Sequence, residues 1–87
     1  MEKENKTQFP LLEFVKKSRN LDFLIPGMKV EFHYPPFSPK QGIIVDGNES
    51  ANLQILFDGE ITPQNCHPTW NMTYFSDSGE IIKTFKN

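Results

Sequence analysis

The sequence predicts a mainly-β domain in which a short N-terminal amphipathic helix precedes a small barrel of five strands. Three observations carry this expectation. Eleven residues are aromatic, eight of them Phe, and only one is alanine, Ala51. Aromatics suit pleated, half-buried surfaces and Ala is the strongest helix former, so this balance opposes a helical bundle. From residue 26 onward, short apolar runs alternate with Gly, Pro, Asp and Asn turn signals. Several short strands at such close spacing favour a closed or rolled-up sheet, because closure removes exposed edges. A chain of 87 residues is enough for one domain and not for two.

Residues 1–8, MEKENKTQ, are polar and charged and read as a flexible tail, leaving 9–87 as the single domain. A helix is expected over 10–19. Pro10 suits a first helical position, where its missing N–H is no loss, and Thr7 or Gln8 offers a weak cap. Leu11, Phe14 and Val15 fall at i, i+3 and i+4, away from Glu13, Lys16, Lys17 and Arg19. The basic residues sit towards the C-terminal turn, where the helix dipole favours cations, and Asn20 can adopt the left-handed conformation that ends a helix. A helix this short is stable only when packed, and capping an open end of the barrel would provide that.

The barrel is expected over 26–87. After the Pro26-Gly27 turn, Met28, Val30, Phe32 and Tyr34 alternate with Lys29, Glu31 and His33 as a half-buried strand. Pro35, Pro36 and Pro39 cannot donate to a sheet ladder, so the stretch from Tyr34 to Gly42 is a loop. A second strand runs from Gly42 to Asp46 and turns at Asp46-Gly47; a third, from Asn52 to Phe57, turns at Asp58-Gly59. Ile61 opens an irregular segment, TPQNCHPTW, with two more prolines. Asn71 to Phe75 and Glu80 to Phe85 form a last hairpin around Ser76–Gly79.

Gly27 and Val30 open the first strand, Gly42, Ile43 and Val45 the second, and Leu53, Ile55 and Phe57 lead into the Asp58-Gly59 turn. Over residues 26–60 this succession resembles the start of SH3-like small barrels of the KOW and Tudor kind. The resemblance implies an SH3-like barrel of five strands. Beyond Glu60 the proline-broken stretch is longer than such barrels usually show. The KOW branch presents basic residues to RNA, and these are scarce here.

Composition and spacing argue against most chemistry. A lone cysteine, Cys66, has no disulfide partner, and no CxxC, HxxH or HExxH spacing surrounds it. Neighbouring residues on an extended segment point to opposite sides, so His67 is poorly placed to activate Cys66. They read as a small, partly buried thiol and a histidine capping a turn. The five glycines are scattered one per turn, with no phosphate-cradling cluster. Asp46 with Glu49, and Asp58 with Glu60, are turn carboxylates without an evident cleft. The expectation is a non-enzymatic chain with no metal and no cofactor.

The aromatics offer the better claim on function. Tyr34 and Phe37 bracket the first proline loop, and Trp70, Tyr74 and Phe75 follow the second. If both loops fall at one end of the barrel, these rings form an exposed cluster, and Asp58 and Glu60 complete a pocket for a cationic side chain. The competing reading assigns all of them to the core of a small domain. The expected function is a protein-binding module or adaptor with a protein partner. Pro36 and Pro39 also make a P-x-x-P spacing, which a proline-recognising partner could read.

Nucleic-acid binding is the alternative, with Lys16, Lys17, Arg19, Lys29 and Lys40 on phosphates and the rings stacking on bases. A net charge of −2, concentrated in residues 26–87 with four basic and seven acidic groups, disfavours it. A third possibility is a subunit or inhibitor whose helix docks onto a larger assembly. No apolar run exceeds three residues and the N-terminus lacks an apolar leader core, so no membrane partner and a cytoplasmic location are expected.

Overall fold

A computed structural model describes residues 9–86. One helix, α1 (Pro10–Arg19), precedes six strands: β1 (Lys29–Phe32), β2 (Lys40–Gly47), β3 (Leu53–Phe57), β4 (Gln64–Cys66), β5 (Met72–Phe75) and β6 (Ile81–Phe85). The strands form one antiparallel sheet in the order β4-β3-β2-β1-β5-β6. The mainly-β expectation therefore holds, with six strands instead of five and with β4 and β6 as the two edges of the sheet. The expected tail and the Thr7 or Gln8 cap lie outside the described residues.

The helix starts with Pro10 at its first turn and ends at Asn20, whose backbone is left-handed (φ 58°, ψ 48°). There the Leu21 N–H donates to the Lys16 carbonyl at 2.9 Å and the Asn20 N–H to that of Lys17 at 3.4 Å. These bonds satisfy carbonyls that the helix end leaves open. The buried face is Leu12 and Val15, while Phe14 is 44% exposed, which corrects the expected Leu11–Phe14–Val15 stripe. The Leu11-Leu12 doublet is compatible with two adjacent stripes, and the contact with the sheet selects one. That contact is close: a Cβ added at Gly47 would meet the Leu11 carbonyl oxygen and Val15 Cγ2, each at 2.6 Å. Arg19 clamps the arrangement, donating from Nε to the Ala51 carbonyl at 2.8 Å and from Nη2 to Asn52 Oδ1 at 3.0 Å. The helix is thereby tied to the turn between β2 and β3.

One face of the sheet builds the core. Val30, Ile44, Leu53, Ile55, Phe57, Met72 and Tyr74 are buried there, together with Leu12, Val15, Leu21, Leu24 and Met28. Register explains the selection, since Val30 lies opposite Gly42 on one side and Tyr74 on the other, and residues directly opposite share a face. Gly42 is required by close approach, because a Cβ there would meet the Leu56 carbonyl oxygen at 2.5 Å. Irregularities between Ile44 and Asp46, and between Tyr74 and Phe75, interrupt the ladders and bend the strands that carry them.

β4 is the strand that periodicity could not show. It has three residues, pairs Leu53 with Cys66 and Ile55 with Gln64, and lies between Pro63 and Pro68. A short, polar edge strand has no alternation to display. The final hairpin is as expected, closed by the Ser76 N–H donating to the Glu80 carbonyl at 2.8 Å. β2 sets the long dimension of the site. α1 contacts it at Gly47, and Lys40 begins it at the other end, roughly 23 Å away at ~3.3 Å per residue.

Candidate functional aromatic surface

The Lys40 end of the sheet carries the rings. β1 ends at Phe32, and the chain leaves it through the proline loop that holds Tyr34 and Phe37. Trp70 arrives from the turn before β5. Two backbone bonds set these segments: the His33 N–H donates to the Asn71 carbonyl at 3.1 Å, and the Phe37 N–H to that of Tyr34 at 3.0 Å. The Pro35–Pro36 peptide bond within the loop is cis.

The rings form a continuous array. Phe37 stacks on Tyr34 (centroids 6.4 Å, interplanar angle 13°) and Tyr34 on Phe32 (6.2 Å, 8°). Trp70 lies against Tyr34 at 5.3 Å and Phe32 at 6.2 Å, and Phe32 reaches Phe57 at 6.5 Å. Phe57 is buried and Phe32 half-buried, while Tyr34, Phe37 and Trp70 are 44%, 67% and 42% exposed. Offset and tilted pairs at these separations are favourable ring geometries. A root in the core thus supports three rings held at the surface.

Asp58 and Glu60 lie where this array meets the turn after β3. Lys40 Nζ donates to Glu60 Oε2 at 3.1 Å and sits 4.7 Å from the Phe57 ring centroid. Gln64 Nε2 donates to Glu60 Oε1 at 3.3 Å. The hydrogen bond from Lys40 holds the Glu60 carboxyl below the usual glutamate value, with Gln64 adding to the shift. Asp58 is exposed, and with Pro39, Lys40, Gln41 and Phe57 it lines a depression of about 370 Å³.

Tyr74 does not belong to the surface. It is fully buried on the inner face, edge-on to Phe23 at 5.2 Å and to Phe85 at 6.2 Å. Its register opposite Val30 turns it inward, a fact of pairing that proximity to Trp70 in sequence could not convey. Burial pushes its phenol well above the usual range. The hydroxyl donates to the Pro68 carbonyl. That bond pins the 67–70 turn from below, and the His67 imidazole pins it from outside, with Nδ1 accepting the Thr69 N–H at 3.2 Å. Tyr74 is therefore tied from the inner face to the turn that leads into Trp70.

Of the expected binding residues, Tyr34, Phe37 and Trp70 come together, and Glu60 is linked to them through Lys40, Phe57 and Phe32. Asp58 lies beside Phe57 in the chain, and Tyr74 is buried. Phe32 and Phe57 were missed as members of the array. For Phe32 a signal existed, because residues two apart in an extended segment share a side, and Phe32 precedes Tyr34 by two. No local signal marks Phe57, which joins through pairing of β3 with β2 opposite Gly42.

The basic residues of the nucleic-acid alternative are not gathered into one surface. Lys16 pairs with Glu13 at 3.3 Å, Arg19 is taken up by the β2–β3 turn, and Lys40 by Glu60. Lys16, Lys17 and Arg19 belong to the helix that contacts the Gly47 end of β2, far from Lys40, and Lys29 lies within β1 opposite Ile43.

Cys66 is half-buried, and burial pushes its thiol up to about 11, so it is protonated at neutral pH. Burial, then the charge of Arg19, hold the His67 imidazole below its usual value. A second depression, of about 490 Å³, lies on the outer side of the sheet, where Glu31, Thr73 and Thr84 occupy paired positions alongside His33 and Lys86. No group of three or more His, Cys, Asp or Glu side chains converges among the described residues. No helix among them is long and apolar enough to cross a membrane.

Comparison with protein-family models, with curated proteins and with solved structures finds no match.

Proposed function

We propose that this chain is a small non-enzymatic protein-binding module, an SH3-like barrel with an appended sixth strand, whose open end engages a partner through Tyr34, Phe37 and Trp70. One observation carries the reading: three large rings, each 42–67% exposed, are stacked into a single array rooted in the core. Such rings lose little conformational freedom on binding because their neighbours already hold them, and aromatic anchors of this kind dominate interface energetics. The strand order supports the barrel half of the proposal. The four strands β1 to β4 pair as a meander, and β5 returns to pair with β1, the order that lets a small sheet roll up on itself.

The size of the surface narrows the partner. Full burial of an aromatic side chain covers roughly 150–250 Å², so the exposed fractions of these three sum to on the order of 300 Å². A standard interface needs about 800 Å² on each side. The rings therefore suit a short segment of a partner rather than a broad globular face. The nearby carboxylates of Asp58 and Glu60 disfavour a phosphate backbone and favour a neutral or cationic segment.

The deciding experiment is affinity capture on the immobilised full chain, with mass-spectrometric identification and Tyr34→Ala and Trp70→Ala as paired controls. A specific protein retained by the wild type and lost from both variants supports the reading. A partner retained equally by all three refutes the site. A salt-dependent gel shift with RNA or single-stranded DNA, abolished by charge-neutral replacements of Lys29 and Lys40, would instead favour the nucleic-acid alternative.

A further inference from the structure

We propose that the Lys40 ammonium is an internal stand-in for a cation supplied by the partner. It occupies a subsite made of the Phe57 ring and the Glu60 carboxylate, which an arginine or lysine side chain of the partner takes over by displacing it. The inference rests on the binding role proposed for this end of the sheet and adds to it the chemistry of one contact.

The observations are geometric. Lys40 Nζ stands 4.7 Å from the centroid of the Phe57 ring and 3.1 Å from Glu60 Oε2. A π face and a carboxylate together are what a desolvating cation requires. The occupant is weakly held: the Lys40 side chain is 50% exposed, its four-carbon stem is flexible, and exposed ion pairs contribute little. Asp58 lines the same depression as Lys40 and Phe57. A ring and a carboxylate suit a guanidinium better than an ammonium, because its planar fork can stack on the ring while bonding the carboxylate. The subsite also adjoins the exposed rings. Phe32 bridges Phe57 at 6.5 Å and Trp70 at 6.2 Å, so a peptide lying across Tyr34 and Trp70 reaches the subsite with one long side chain.

Self-occupation has a measurable consequence. A partner's cation meets a site that is already filled, and its apparent affinity falls by the fraction of time the site is free. The test is an NMR titration of the isotope-labelled full chain with N-acetyl-arginine amide, comparing wild type, Lys40→Met, and Lys40→Met combined with Glu60→Gln. Lys40→Met is expected to bind about 2- to 5-fold tighter than wild type, as displacing an exposed pair implies, with shifts at the Phe57 ring and Glu60, and Glu60→Gln is expected to reverse the gain. N-acetyl-lysine amide should follow the same order more weakly. Lys40→Gln keeps the position polar and repeats the comparison if the methionine variant misfolds.

Equal affinity in wild type and the Lys40 variants, no saturable shifts in any of them, or shifts located elsewhere would overturn the stand-in. That failure is separable from failure of the binding role. If the captured partner still perturbs Tyr34 and Trp70 while the arginine probe ignores Lys40→Met, only the stand-in is wrong. If neither ligand touches this end of the sheet, both are wrong.

Discussion

Replacing Tyr74 by Phe should loosen the Trp70 surface without removing any ring. The substitution deletes one hydroxyl, whose hydrogen bond to the Pro68 carbonyl ties the 67–70 turn to the inner face of the sheet. Both partners are buried: Tyr74 is fully so, and Pro68 is among the least exposed residues in the chain. Deleting the donor leaves a buried carbonyl without its partner, which costs about 1–3 kcal/mol. The ring contacts with Phe23 and Phe85 survive, so no cavity of ring size opens. In a domain of this size each kcal/mol lowers Tm by about 4–8 °C. Total stability at 87 residues is roughly 4–13 kcal/mol, so the variant still folds. Trp70 is the only tryptophan, and its fluorescence therefore reports the turn directly. Calorimetry should give the lower Tm, and acrylamide quenching of Trp70 should rise. Tyr34→Phe is the control, because it removes an exposed hydroxyl and should stay within about 0.5 kcal/mol of wild type. If Tyr74→Phe matches wild type in both Tm and quenching, Tyr74 does not position Trp70.

Three further outcomes follow from the geometry. Gly47→Ala drives a Cβ to 2.6 Å from the Leu11 carbonyl oxygen and Val15 Cγ2, and should destabilise by about 1–3 kcal/mol in urea unfolding through displacement of the helix; an unchanged midpoint would contradict the packing of α1 on β2. The Glu60 carboxyl titrates below its ordinary value because of Lys40, so the stability it contributes is complete above the unfolded glutamate value and is lost as pH falls through the lower folded one. Carboxyl-detected NMR of Glu60 should show the depressed midpoint in wild type and a return towards ordinary in Lys40→Met, and a midpoint indifferent to Lys40 would dismiss the ion pair. With its thiol at about 11, Cys66 should react slowly with a disulfide reagent at pH 8 in the native chain and rapidly in urea; equal rates would mean the thiol is not buried.

Much of the fold was legible because its determinants are local. Pro10 and Asn20 bound the helix through their own backbone preferences, and Pro35, Pro36 and Pro39 exclude a ladder wherever they stand. The hairpin around Ser76–Gly79 is likewise written in neighbouring residues. Asp46-Gly47, however, is not the turn expected: both residues pair within β2, opposite Gln54 and Leu53, and the chain turns at Asn48–Asn52, where Ala51 takes a positive φ. β4 was not legible, since three polar residues between prolines carry no period. The stripe on α1 was ambiguous for a related reason: Leu11-Leu12 satisfies two faces, and only the approach to Gly47 chooses Leu12 and Val15.

The candidate surface divides along the same line. Sequence by itself determined that rings and prolines flank two loops, because composition and spacing are properties of the chain. Tertiary structure decided which rings face solvent. Tyr34 and Tyr74 look alike as loop-flanking tyrosines, yet one stacks at the surface and the other is sealed beneath Pro68. Burial depends on register: pairing opposite Val30 turns Tyr74 inward, while β1 ends at Phe32 and releases Tyr34. Register is a relation between strands distant in sequence, and no single segment contains it.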